Sequence, residues 1–158
     1  MEMSYVKFLE GKALKDPMTG LKTAPVLDKN MFPFQRDITS WALRRGRAAI
    51  FSDCGTGKTF MELEWSKHIP GDVLILAPLA VASQTVREGE KFGIPVNICR
   101  RQEDVRPGIN ITNYEMLDKF DPGYFKGVVL DESSILKALD GKTKTAVIEA
   151  FREVPFRL

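Results

Sequence analysis

The apolar positions of this chain follow two rhythms. Short, nearly unbroken apolar runs occur at 48–51, 73–77 and 126–130, with briefer candidates at 96–99 and 110–112. Runs of that length bounded by turn residues are the pattern of strands buried on both faces of a parallel sheet. Between them the spacing becomes helical. Phe34, Ile38, Trp41 and Ala42 share one stripe, followed by Arg44, Arg45 and then Gly46, which predicts a core helix that stops at the glycine. Further helices are expected over 58–67, stopped by Pro70-Gly71, over 78–92, and over 144–151 with Val147, Ile148 and Phe151 as its apolar side. Strands alternating with helices specify an α/β fold: a mostly parallel sheet with helices on both faces. Ahead of this lies a segment of different character. Residues 4–14 suit a short helix with Tyr5, Phe8 and Leu9 on one side, and Asp16-Pro17 and Thr19-Gly20 read as turns. Residues 1–30 are therefore expected to form an N-terminal appendage, and 31–158 a domain.

Two of the strand ends carry chemistry. The run at 48–51 leads into Asp53-Cys54-Gly55-Thr56-Gly57-Lys58-Thr59 and then into the helix. Gly55 and Gly57 permit positive φ and let main-chain N–H groups approach a polyphosphate. The helix start adds unpaired N–H groups and a dipole that favours an anion. Lys58 is expected near β- and γ-phosphates, with the Thr59 hydroxyl on Mg²⁺. The usual spacing of such a loop has glycine where this chain has Ser52, a small residue that still fits. The run at 126–130 ends in Asp131-Glu132-Ser133-Ser134. Asp131 is placed to hold the metal through water, and Glu132 to orient or deprotonate the attacking water. Phosphate loop and carboxylate pair together are the signature of a nucleoside triphosphatase.

Composition changes this picture little. The 158 residues make one domain by size, and 44% apolar with 28% charged residues is ordinary for a soluble globular protein. A net charge of +2 points weakly to nucleic acid. Arg44, Arg45 and Arg47, and again Arg100 and Arg101, read first as solvated faces and second as phosphate contacts. No apolar stretch reaches membrane-spanning length and the polar start is no signal peptide, so no membrane partner is expected. Cys54 and Cys99 form no metal pattern and imply a reducing compartment such as the cytoplasm. His68, alone near a helix end, reads as a surface residue.

The order of the motifs resembles superfamily 2 helicases and translocases, most of all phage-type DEAD/DEAH-like helicases with Swi/Snf features. The likeness runs from about Phe32 to the last residue. Phe34-Gln35-Arg36-Asp37 resembles the family's adenine-reading element, which implies that the Gln35 amide reads the adenine edge of ATP and that Phe34 packs beside it. Gly55, Thr56, Gly57, Lys58 and Thr59 stand at its phosphate loop, and Asp131-Glu132-Ser133-Ser134 at its Asp-Glu-x-x box; Ser133 and Ser134 depart from the DEAD and DEAH endings. Ala77-Pro78-Leu79 with Gln84 looks like its first nucleic-acid-contacting motif, and Ile111-Thr112-Asn113-Tyr114-Glu115 like the start of another. By that resemblance Pro78, Leu79, Asn113 and Tyr114 would touch DNA or RNA.

The resemblance also implies a three-layer, RecA-like fold and a second RecA-like domain, in cis or in trans, that supplies an arginine finger. Such fingers are worth about 10³–10⁵ in rate. The chain is thus expected to be a first motor domain that ends before the family's coupling motif, binds nucleotide, and hydrolyses slowly alone. Two rival readings are a non-catalytic nucleotide- or nucleic-acid-binding regulatory module, and another P-loop ATPase such as a DNA-packaging motor. The Gln35 element argues against the packaging motor.

Overall fold

β1 (Val73–Ala77) is buried at every position, and its side chains enter two different cores. The two-residue period of a strand sends Val73, Ile75 and Ala77 to one face and Leu74 and Leu76 to the other. A strand covered on both faces has no position where a polar side chain reaches water, so its sequence is apolar throughout. The computed structural model describes residues 18–133 and 141–158. In it β1 is the centre of a five-stranded parallel sheet of order β2-β3-β1-β4-β5. The other strands are β2 (Val96–Ile98), β3 (Ile109–Asn113), β4 (Gly127–Leu130) and β5 (Phe156–Arg157).

Among the described residues four α-helices cover the sheet: α1 (Pro33–Arg45), α2 (Lys58–Lys67), α3 (Ala82–Lys91) and α4 (Gly141–Ala150). Ala42 and Leu43 of α1, Phe60, Met61, Leu63 and Trp65 of α2, and Ala82 of α3 pack with Val73, Ile75, Ile109 and Ile111. Phe60 stacks on Phe92 with centroids 3.7 Å apart, and Trp65 meets Phe156 edge-on at 6.5 Å. The opposite face buries Leu74, Leu76 and Val128 under Tyr114, Phe120 and Phe125, with Val147 of α4 and Phe151 just beyond it. The expected three-layer α/β architecture is the one observed.

Several boundaries differ from expectation. Residues 48–51 form no strand; the segment touches the sheet through one isolated parallel bridge, Arg47 to Arg157. Its bonds there are Ala48 N–H to Arg157 O at 2.9 Å and Arg157 N–H to Gly46 O at 2.8 Å. β5 has two residues, too few to carry a ladder onward, and Phe51 is left 92% exposed. α3 begins at Ala82 rather than residue 78, because Val81 N–H closes a turn on the Pro78 carbonyl at 2.9 Å. α4 begins earlier than expected, and its Ile148 is 53% exposed although the apolar pattern counted it inside.

Residues ahead of position 31 make contacts with the domain. Thr19, Gly20 and Leu21 donate their N–H groups to the carbonyls of Arg45, Arg44 and Leu43, at 3.2, 3.1 and 2.9 Å. These are carbonyls at the end of α1 that no longer have helical partners. Leu21 and Leu27 pack on the first core, and Met31 lies within it. Residues 19–31 are thus strapped to the domain. The predicted helix at 4–14, the turn at Asp16-Pro17, and Ser134 lie outside the described residues.

Candidate functional site

The glycine-rich loop adopts the geometry that its residue types allow. Gly55 and Gly57 have φ of 77° and 80°, and Gly57 caps α2 in the left-handed conformation. Lys58 is therefore the first helical residue, and the unpaired N–H groups of the helix start belong to the loop. The Lys58 ammonium donates to the carbonyls of Ser52 at 3.0 Å and Asp53 at 3.2 Å. The Thr56 hydroxyl lies 2.7 Å from the Asp53 carbonyl and 2.9 Å from the Ser52 hydroxyl. Serine where such loops usually have glycine is accommodated by giving its hydroxyl a partner inside the loop.

Gln35 stands against this loop. Its side chain is 4% exposed, with Nε2 donating to the Thr56 carbonyl and Oε1 accepting from Phe32 N–H, each at 2.8 Å. A Cβ at Gly57 would run into Gln35 Nε2. Phe32 and Phe34 remain exposed on either side of Pro33, their rings parallel within 8° and 6.2 Å apart.

The carboxylate pair sits where β4 ends. Asp131 is buried, its N–H bonded to the Leu76 carbonyl at 2.9 Å and its carbonyl accepting the Tyr114 hydroxyl at 2.8 Å. Glu132 is exposed and has φ of 50°. That left-handed conformation costs a non-glycine residue about 1–2 kcal/mol, a strain that tends to collect at functional turns. Lys58, Asp131 and Glu132 line one cleft of about 970 Å³ together with Ser52 and Glu62. Lys58 and Glu132 also line a neighbouring cleft of about 490 Å³, with Gly55, Gly57, Thr59 and Gln35.

Glu62 was not among the sequence candidates. It lies one turn beyond Lys58 on α2, and burial, then Asp131, push its carboxyl up to about 8 against the opposing pull of Lys58, with Glu132 adding to the rise. Asp131 is also raised, by burial and then by Glu132, with the Glu132 backbone N–H and Lys58 acting against the shift. Burial raises the Tyr114 hydroxyl, helped by Asp131, Glu62 and Glu132. An acid four residues after Lys58, on a helix otherwise given to the core, is the signal that could have found Glu62. Around Lys58 the cleft gathers the carboxyls of Glu62, Asp131 and Glu132, with Arg47 and Arg157 lining it as well. Among the described residues no group of three or more His, Cys, Asp or Glu side chains could hold a metal ion. The donor set fits a cation such as Mg²⁺ that takes one or two protein oxygens and the rest from a polyphosphate and water.

No protein-family model matches this sequence, and no curated protein matches it. Its fold has a counterpart among solved structures. The crystal structure of the UvsW helicase from bacteriophage T4 superimposes with a TM-score of 0.68 at 13% identity, over 86% of this chain and 55% of that one. The fold is RecA-like: a five-stranded parallel sheet covered by helices. The chain spans about half the length of the helicase it matches.

Within this RecA-like domain the remaining candidates separate. Pro78 is half-buried and Leu79 is 74% exposed, in the turn that follows β1. Asn113 and Tyr114 are only 8% and 7% exposed. Asn113 donates to Glu115 Oε2 at 3.2 Å, and the Tyr114 hydroxyl donates to the Asp131 carbonyl. His68 is not a free surface residue either. Its Nε2 lies 3.0 Å from Oε1 of the fully buried Glu64, which also accepts from Asp28 N–H at 2.9 Å and Lys67 at 3.3 Å. Glu64 thereby ties the 19–31 strap to α2. Among the described residues no helix is long and apolar enough to cross a membrane.

Proposed function

We propose that this chain is the nucleotide-binding half of a nucleic-acid-dependent ATPase, a DNA or RNA helicase or translocase. The observation that carries this is the meeting of Lys58 from the phosphate loop with Asp131 and Glu132 from the end of β4 in one cleft. The likeness of fold to the UvsW helicase supports it. In this reading the loop N–H groups, the start of α2 and the Lys58 ammonium hold the phosphates of ATP. The Thr59 hydroxyl and Asp131 hold Mg²⁺, which when bound neutralises charge developing on the phosphates. Glu132, exposed at its strained turn, orients and deprotonates the attacking water. Phe34 packs against the base, and Pro78 and Leu79 lie toward the nucleic acid. In this reading a second RecA-like domain supplies a further cation, an arginine finger, for rapid hydrolysis.

Two measurements test the proposal. Lys58→Ala removes the ammonium, and calorimetry is expected to show ATP·Mg²⁺ affinity falling by an order of magnitude or more; undiminished affinity refutes the site. In a protein extended by a second RecA-like domain, Glu132→Gln is expected to lower kcat sharply with little change in nucleotide affinity. Turnover there should rise with single- or double-stranded DNA or RNA. Unchanged kcat would move the catalytic role to another residue.

A further inference from the structure

We infer that Gln35 is a positioning residue for the phosphate loop, and that the base is held without being read by it. The inference rests on the nucleotide-site reading above and specifies how that site is assembled. A glutamine amide can serve an adenine edge only by turning both a donor and an acceptor toward it. Here Nε2 is spent on the Thr56 carbonyl and Oε1 on Phe32 N–H, in a side chain that is 4% exposed. Reaching a base would break both bonds and leave two main-chain groups unpaired at the heart of the site. A Cβ at Gly57 would displace the same amide, and the positive φ there also favours glycine, so the close approach is built into the loop.

The bond to Thr56 has a direct consequence for anion binding. In a trans peptide the carbonyl of one residue and the N–H of the next lie in one rigid plane and point in opposite directions within it. Drawing the Thr56 carbonyl toward Gln35 therefore points the Gly57 N–H the opposite way, away from α1. Gly57 is the cap of α2, so that N–H belongs to the set a phosphate would use. The other half of the amide fixes the start of α1, because Oε1 holds the N–H of Phe32, the residue before Pro33. The exposed, parallel rings of Phe32 and Phe34 then offer the base an apolar surface, which suits any purine.

The test separates phosphate from base. The 158-residue protein, Gln35→Ala and the near-isosteric Gln35→Met are titrated calorimetrically with Mg²⁺ and inorganic triphosphate, which has no base, and then with ATP and GTP. Thermal melts accompany each; the methionine variant preserves side-chain volume should the alanine variant fail to fold. Loss of one buried hydrogen bond that orients the loop is expected to weaken triphosphate, ATP and GTP alike, by about tenfold. The ratio of ATP to GTP affinity is expected to stay as in the parent. Unchanged triphosphate affinity with a lost preference for ATP would overturn the inference and make Gln35 a base reader. Unchanged affinity for all three ligands would overturn it as well, while leaving the nucleotide site standing. A parent protein that binds neither triphosphate nor ATP would overturn both readings.

Discussion

Replacing Glu62 by glutamine keeps the shape of the side chain and removes one titration from the cleft. The folded carboxyl is raised from 4.5 to about 8, first by burial and then by Asp131. Below pH 4.5 both folded and unfolded chains hold the proton, and the group does not distinguish them. Between 4.5 and about 8 the unfolded chain has released a proton that the folded chain still binds. Each pH unit in that window then lowers the stability of the parent by about 1.4 kcal/mol, and above it the loss is complete. The ceiling is roughly 5 kcal/mol; the cleft is open to solvent and Lys58 opposes the shift, so about 1–3 kcal/mol is expected. Glu62→Gln, having nothing to titrate, should be close to the parent near pH 4.5 and gain on it steadily up to pH 8. Urea unfolding followed by tryptophan fluorescence suits the measurement, because Trp65 is fully buried. The reasoning is refuted if the difference between the two proteins is constant over that range, or if the parent gains on the variant as pH rises.

Other outcomes follow from single contacts. Tyr114→Phe deletes the hydroxyl that meets the Asp131 carbonyl at 2.8 Å, and should lower unfolding free energy by about 1–2 kcal/mol in urea; an unchanged midpoint would mean that water replaces the bond. Glu132→Gly relieves a φ of 50° and should stabilise the domain by roughly 1 kcal/mol while abolishing hydrolysis in the two-domain protein. A loss of stability on that change would show that the turn is not strained. Leu76→Ala opens a cavity at a fully buried position of β1 and should cost about 2–5 kcal/mol by the same assay. A smaller loss would mean that the second core collapses to fill the space.

Where local chemistry decides structure, the sequence is easy to read. α2 runs from Lys58 to Lys67 as expected, because a glycine cap opens it and Pro70-Gly71 closes it. β1 matches to the residue, because burial on both faces leaves no polar break. The segment at 48–51 is equally apolar but has only the two residues of β5 beside it, and a ladder depends on partners that apolarity does not supply. The strap at 19–31 was missed for a related reason: the N–H groups of Thr19, Gly20 and Leu21 bond main-chain carbonyls and leave no trace in residue type. Within the site, the loop and the carboxylate pair were visible because their residue types are dictated by phosphate and metal. Glu62 and Glu64 were not, since which acids of a helix are buried depends on what packs over them. Gln35 was found, but the partners of its amide could be known only once the loop was in place.

The two bonds that hold Lys58 have a bearing on how tightly this loop can grip anything. Its ammonium is satisfied by the carbonyls of Ser52 and Asp53, so a phosphate must outcompete two acceptors that belong to the same loop. The lysine acts as its own stand-in ligand, and the affinity measured is the difference between two sets of hydrogen bonds. The same arrangement lets the ammonium pass from carbonyl to phosphate, and back after the products leave, without ever standing bare in the cleft.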